Sequence, residues 1–330
     1  MPALLPIDAR DERIVASIEA GLHRVERRFS DQLDSRLPPV ADLCRHVESY
    51  RGKMLRPTLV MLSGLAASDG GALSDDAVTV GAVMEMVHMA TLVHDDVLDE
   101  ADMRRGGRTV NALRGNEAAV ILGDYLIARS FHLCSQIDDQ RIALRVGAVT
   151  SVVCEGELLQ LHHRGDWDLD EETYFEIIER KTASLIAAAC ELGAASGGCD
   201  EARCMAFGEY GRRIGLAFQI QDDLLDLLGE ASVVGKSLGK DLEKGKLTLP
   251  LIHHLATVDP ADRDASLTVI RSGDSSGVAS LLQRTESVGY AAGLARSYVQ
   301  DAIDLMTSQP ASAARDCLLG LAEAVVTRRR

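Results

Sequence analysis

At 330 residues, with 46% apolar but only 4% aromatic side chains, the chain has enough Leu, Ala, Val and Ile for one sizeable aliphatic core, which suits stacked helices. A net charge of −15 argues against a nucleic-acid binder, which needs a basic face to displace counterions, and requires a local cationic device wherever an anion is bound. Seven cysteines without C-x-x-C spacing argue against zinc and a disulfide framework. With no basic start before an apolar run, and uncharged stretches such as Pro57 to Ser68 reaching only 12 residues, neither a signal peptide nor a transmembrane segment is expected, and a cytoplasmic location is expected.

Apolar residues recur at helical spacing almost throughout, and no stretch sustains the alternation of a half-buried strand, so the expected fold class is all-α, with one domain over residues 1–330. In chain order the pattern predicts helices at about 10–35, 40–50, 55–68, 75–99, 115–136, 140–163, 170–192, 200–228, 246–257, 276–286, 289–307 and 311–328. Asp69-Gly70-Gly71, Gly106-Gly107, Gly165-Asp166, Ser196-Gly197-Gly198 and Ser272 to Gly277 read as turns between them. Residues 229–245, rich in Gly and Lys and poor in periodic apolar positions, are expected to form a mobile loop over a site.

Several short segments carry chemistry. Lys53 and Arg56 open the third helix, where an anion gains backbone donors and the helix dipole, although cations beside a turn are commonly just exposed. His88, Asp95 and Asp99 fall on one helical face, so His94-Asp95-Asp96-Val97-Leu98-Asp99 presents oxygens in register. Magnesium takes few protein ligands of this hard kind and completes its octahedron with water and phosphate, yet a single such cluster reads more readily as a solvated helix end. Arg104 and Arg105 follow, and Gly106-Gly107 lets the chain turn them back beside the carboxylates as a phosphate clamp. Lys181-Thr182 opens an apolar run, where a lysine usually snorkels to the surface. Gln219, Asp222 and Asp226 form a second face on Gln221-Asp222-Asp223-Leu224-Leu225-Asp226, directly after apolar residues, where carboxylates need a cation partner. Gly235-Lys236 and Lys240 to Lys246 supply further cations. Two aspartate clusters, each followed by cations, point to magnesium and diphosphate chemistry.

Taken together, Gly52 to Pro57, His88, Asp95 to Asp99, Arg104-Arg105-Gly106, Glu155-Gly156-Glu157-Leu158-Leu159-Gln160, Lys181-Thr182, Phe218 to Asp223, Gly235-Lys236 and Asp241 to Lys246 make a chain that resembles the trans-isoprenyl diphosphate synthases (polyprenyl synthetases), most of all their long-chain octaprenyl and solanesyl branch. The resemblance implies a helical bundle around a deep central cavity, assembled as a homodimer, with the aspartate motifs facing each other across the cavity mouth. It implies Mg2+, three ions with allylic diphosphate bound, on Asp95, Asp99 and Asp222 with Asp96 and Asp226 supporting. Lys53, Arg56, His88 and Arg105 would bind isopentenyl diphosphate; Arg104, Lys181, Lys236 and Lys246 would bind the allylic diphosphate; Lys181, Thr182 and Gln219 would be catalytic, the last two facing the reacting carbons. Arg51 and Met54 depart from the family's usual Gly-Gly-Lys-Arg opening.

The implied reaction is ionisation, condensation and elimination, starting from a farnesyl or geranylgeranyl primer. Below Asp95 the first helix turn carries Ala90 and Thr91, where short-chain relatives place aromatics, and Val83 and Met86 lie further down; an open floor of this kind implies products of roughly C30 to C50. A geranylgeranyl (C20) synthase and a non-catalytic regulatory subunit of a heteromeric synthase are the alternatives; both aspartate clusters are complete, which disfavours the subunit. Membrane contact would be peripheral, for release of the product.

Overall fold

A computed structural model describes residues 12–48, 50, 52–68, 71–228 and 239–327. Its elements run α1 (Glu12–Leu33), α2 (Pro38–Glu48), α3 (Leu55–Ala67), α4 (Asp75–Leu98), β1 (Met103–Arg104), β2 (Gly107–Arg108), α5 (Val110–Arg114), α6 (Asn116–Cys134), α7 (Gln140–His162) and α8 (Glu171–Ile178). A π-helical turn (Glu179–Ala183) follows, then α9 (Ser184–Ser196), α10 (Glu201–Leu228), α11 (Lys240–Glu243), α12 (Leu249–Thr257), α13 (Arg263–Ser272), α14 (Ser275–Arg284), α15 (Ser287–Thr307) and α16 (Ala313–Thr327). The protein is all-α, and its strands are confined, among the described residues, to the two-residue pair β1–β2.

These residues fall into two compact units. The first holds the described residues of Met1–Ser151, Leu185–Gly211 and Leu305–Leu321. Here α4 is the central helix, packed by α1, α3 and α6. Every residue from Ala77 to Val87 is buried, as expected of a helix apolar on all sides. It begins sharply because Ser74 Oγ accepts the Ala77 amide at 3.1 Å and Asp75 and Asp76 meet the positive end of the dipole. Asp75 also takes Arg24 at 2.7 Å and Arg28 at 3.1 Å from α1. By length and composition α4 could cross a membrane, but 78% of its apolar window is buried within the protein, as in a core helix.

After α4 the chain reverses through β1 and β2, with Met103 opposite Arg108 and Arg104 opposite Gly107. Arg105 and Gly106 at the tip have φ of 50° and 82°, the left-handed pair of a type I′ hairpin. This is the turn that Gly106-Gly107 signals.

The second unit holds the described residues of Val152–Ser184, Arg212–Asp304 and Ala322–Arg330. Its core includes Tyr174, Ile177 and Ile178 of α8, Leu216 and Ile220 of α10, and Leu251 of α12. The π turn sits where two neighbouring helices offer no side chain: a Cβ on Gly156 would lie 2.6 Å from the Lys181 nitrogen, and one on Gly215 would lie 2.6 Å from the Ala183 Cα. Both glycines therefore let backbone approach the widened turn.

Three short helices, α5, α11 and α13, arise where the sequence pattern predicts loops, and the helix expected over 170–192 is interrupted by the π turn. In α13 only Ser266, Leu267 and Ile270 are buried, too narrow a stripe for the pattern to register. The loop expected over 229–245 lies outside the described residues from 229 to 238; its remainder forms α11 and the lead into α12.

Candidate active site

The first unit collects one cationic group. Met54, preceding α3, has φ of 56°, a left-handed conformation that costs an ordinary side chain roughly 1–2 kcal/mol. Beyond it Arg56 enters the core, and burial pushes its guanidinium down to about 10, with the buried Glu85 carboxylate of α4 opposing the shift. Burial also lowers Arg105, again opposed by Glu85. The Arg105 guanidinium donates to the Tyr50 carbonyl and lies against Gly52, where a Cβ would overlap it. His88, one turn after Glu85, is driven well below its ordinary value by burial and then by Arg56, Arg105 and Arg104, so it is neutral near pH 7. Arg56 Nε is buried with no hydrogen-bond partner among the described residues. Lys53 is exposed at the same helix start. Two guanidinium groups with a neutral imidazole and an unused buried donor fit an anionic oxygen ligand.

At the end of α4 the three aspartates part ways. Asp96 is 1% exposed and accepts Arg104 Nε at 2.7 Å, so Arg104 is anchored to a member of the cluster. Asp95 and Asp99 are half-buried, and Asp99 caps the helix with its amide on the Asp95 carbonyl. No basic residue stands in the last turn, so these acids sit at the negative end of the dipole, an arrangement that favours an arriving cation. The second cluster has the same situation in the second unit, where the last turn of α10 also lacks a basic residue. Among the described residues no three His, Cys, Asp or Glu side chains converge on one point.

In the second unit a cavity of about 110 Å³ is lined by Lys181, Thr182, Gln219, Asp223, Lys246 and Thr248, among others. Lys181, on the π turn, donates to Gln160 Oε1 at 2.8 Å and pairs with Glu157, both from α7. Thr182 Oγ1 donates to Gln219 Oε1 at 2.9 Å, and Gln219 Nε2 donates to Asp223 Oδ1 at 2.8 Å. Tyr174 donates its hydroxyl to the other Asp223 oxygen at 2.7 Å. Burial pushes Asp223 up to about 7, helped by Asp241 and opposed by the Tyr174 and Gln219 hydrogen bonds. Asp226 Oδ2 accepts the Asp241 amide at 3.1 Å, and Asp222 is half-buried on the same turn. Thr248 Oγ1, buried at the start of α12, has no partner among the described residues.

The structure thus brings together Arg56, His88 and Arg105 in one unit, and Lys181, Thr182, Gln219 and Lys246 around one cavity in the other. Lys236 lies outside the described residues. Of the floor residues, Ala90 and Met86 are wholly buried, whereas Thr91 is half-buried and bonds the His88 carbonyl at 2.7 Å. Sequence reasoning passed over Glu85, Tyr174 and Asp223. Asp223 stood inside a quoted motif, and its position directly after an apolar run was the one signal available; Glu85 was a lone acid within a core-helix pattern, and Tyr174 carried none.

The polyprenyl synthetase family model matches residues 38–288. The chain is 35% identical over 310 residues to the octaprenyl diphosphate synthase of Escherichia coli, covering 93% of this chain and 95% of that one. It is 34% identical to a short chain isoprenyl diphosphate synthase of Methanothermobacter thermautotrophicus, covering 92% and 97%. The crystal structure of a decaprenyl diphosphate synthase from Rhodobacter capsulatus superposes with a TM-score of 0.89 at 33% identity, over 96% of this chain and 99% of that one. With matched residues that run through both cationic groups and both aspartate clusters, the chain belongs to the polyprenyl synthetase family.

Proposed function

We propose that the chain is a trans-polyprenyl diphosphate synthase that condenses isopentenyl diphosphate head to tail with an allylic diphosphate, giving a product of roughly C30 to C50. The observation that carries this reading is the presence of two separate cationic groups, each accompanied by an aspartate cluster, which provides for two diphosphates. Arg56 and Arg105, with Lys53 at the helix start, bind one diphosphate, and neutral His88 donates to it without adding charge. Lys181 and Lys246 hold the diphosphate of the allylic partner beside Thr182 and Gln219. Asp95, Asp99 and Asp222 would hold Mg2+, with Asp96 and Asp226 supporting, and the ion would supply neutralisation of the departing diphosphate. Thr182 and Gln219 present oxygen to the allylic carbon as positive charge develops. The family match spans both units, which supports one synthase domain. We also infer a homodimer and a cytoplasmic location.

Incubation with Mg2+, isopentenyl diphosphate and farnesyl diphosphate, followed by chain-length analysis of the dephosphorylated products, tests the reading. A ladder ending between C30 and C50 is expected. Arrest at C20 would replace the long-chain product with geranylgeranyl diphosphate, and no elongation from any primer would favour a regulatory subunit.

A further inference from the structure

The wall of the cavity in the second unit contains a directed series of hydrogen bonds that ends at Thr182. Tyr174 Oη donates to Asp223 Oδ2 at 2.7 Å, Gln219 Nε2 donates to Asp223 Oδ1 at 2.8 Å, and Thr182 Oγ1 donates to Gln219 Oε1 at 2.9 Å. Tyr174 is 3% exposed and Asp223 4%, so water does not stand in readily for either partner. The direction of each bond is fixed by its neighbour. The Tyr174 hydroxyl occupies one Asp223 oxygen as a donor, so the other receives the Gln219 NH2, and the amide oxygen is thereby aimed at Thr182. The Thr182 proton is then committed to Gln219, which leaves only oxygen lone pairs of that hydroxyl for the cavity. A flipped amide would instead offer Thr182 a donor and turn its hydroxyl proton away.

We propose that Asp223 and Tyr174 are positioning residues for the condensation, locking the Gln219 amide so that Thr182 presents oxygen, not hydrogen, to the allylic carbon. The inference rests on the synthase reading, in which Thr182 and Gln219 face the reacting carbons. Tyr174 is the more telling member. It comes from α8, 49 positions from Asp223 in sequence, and its hydroxyl donates to Asp223, which the synthase reading does not assign to a diphosphate. Its ring packs edge-on against Phe175, with centroids 5.4 Å apart, a contact that phenylalanine would keep.

The test is a double-mutant cycle of Tyr174→Phe and Thr182→Val, read first by single-turnover condensation. Tyr174→Phe should lower the rate about tenfold with both KM values within about twofold, and should add less than about twofold in the Thr182→Val background. Equal effects in the two backgrounds, no rate effect, or a loss confined to KM would overturn the proposal. Urea unfolding of the same four proteins supplies a readout independent of turnover: the midpoint shifts should be non-additive, and additive shifts would overturn the lock. A parent protein that elongates no primer overturns the synthase reading, and the unfolding cycle then decides the lock by itself.

Discussion

Gly52 sets where the Arg105 guanidinium rests, because a Cβ there would overlap it. The obstructing atoms are the far end of a long side chain, so Gly52→Ala should leave the fold intact and displace the guanidinium. Displacement would cost one charge-assisted hydrogen bond to substrate, and KM for isopentenyl diphosphate should rise about tenfold with kcat little changed. Steady-state kinetics with the allylic primer held saturating checks this; an unchanged KM would remove Arg105 from the binding group. In sequence, Gly52 and Arg105 are visible only as members of two distant motifs. Their contact became evident once the Arg105-Gly106 hairpin folded Arg105 back toward Tyr50. The same limit hid Glu85: periodicity marks α4 as a core helix but does not say that a buried acid within it faces two guanidinium groups.

At the scale of elements, periodicity was most informative where one apolar stripe or a wholly buried helix met a clear cap, as in α4 and α8, where Ser74 and Asp170 accept the capping amides. It was least informative at the π turn, because the run that follows is buried on every side from Leu185 to Cys190, so the phase shift of the inserted residue leaves no mark on the pattern, and Lys181 and Thr182 owe their placement to that turn. His254 shows how elements are tied without any motif. From α12, its Nδ1 meets Thr285 Oγ1 at the end of α14 at 2.9 Å, and its Nε2 meets Ser266 Oγ of α13 at 3.0 Å. Burial lowers its pKa, with Arg284 and His253 adding to the effect. The folded protein therefore holds fewer protons at this site than the unfolded chain below about pH 6.5, and stability must rise with pH up to that value and level off above it. His254→Gln keeps a polar partner for the hydroxyls but removes the titration. Its unfolding midpoint should be lower than the parent's at pH 7.5, and should fall less steeply between pH 7 and pH 5, by at most about 1.4 kcal/mol per pH unit for one proton. Parallel pH profiles for the two proteins would exclude His254 as the source of acid sensitivity.

For the molecule as a whole, a net charge of −15 opposes self-association, so a homodimer needs an apolar face strong enough to overcome repulsion. The first unit offers one. Leu113 of α5 is 41% exposed, and Val120 and Ile121 of the adjoining α6 are 40% and 67% exposed, although α6 otherwise buries the positions expected of a core helix. Side chains of that size left in water on neighbouring helices are the kind of surface that a second copy covers. Ile121 lies between Glu117 and Asp124 on the exposed side of α6, so Ile121→Glu would add a third negative charge to that face while disturbing little inside the unit. In sedimentation equilibrium the parent should run at twice its 35.5 kDa chain mass, and Ile121→Glu should shift toward the single-chain mass with its helical circular dichroism retained. A parent that sediments as one chain would refute the dimer. A variant that stays dimeric would keep the dimer and move its interface away from α6, toward the other exposed large apolar positions described in the unit, Leu37, Met103, Leu144 and Met205.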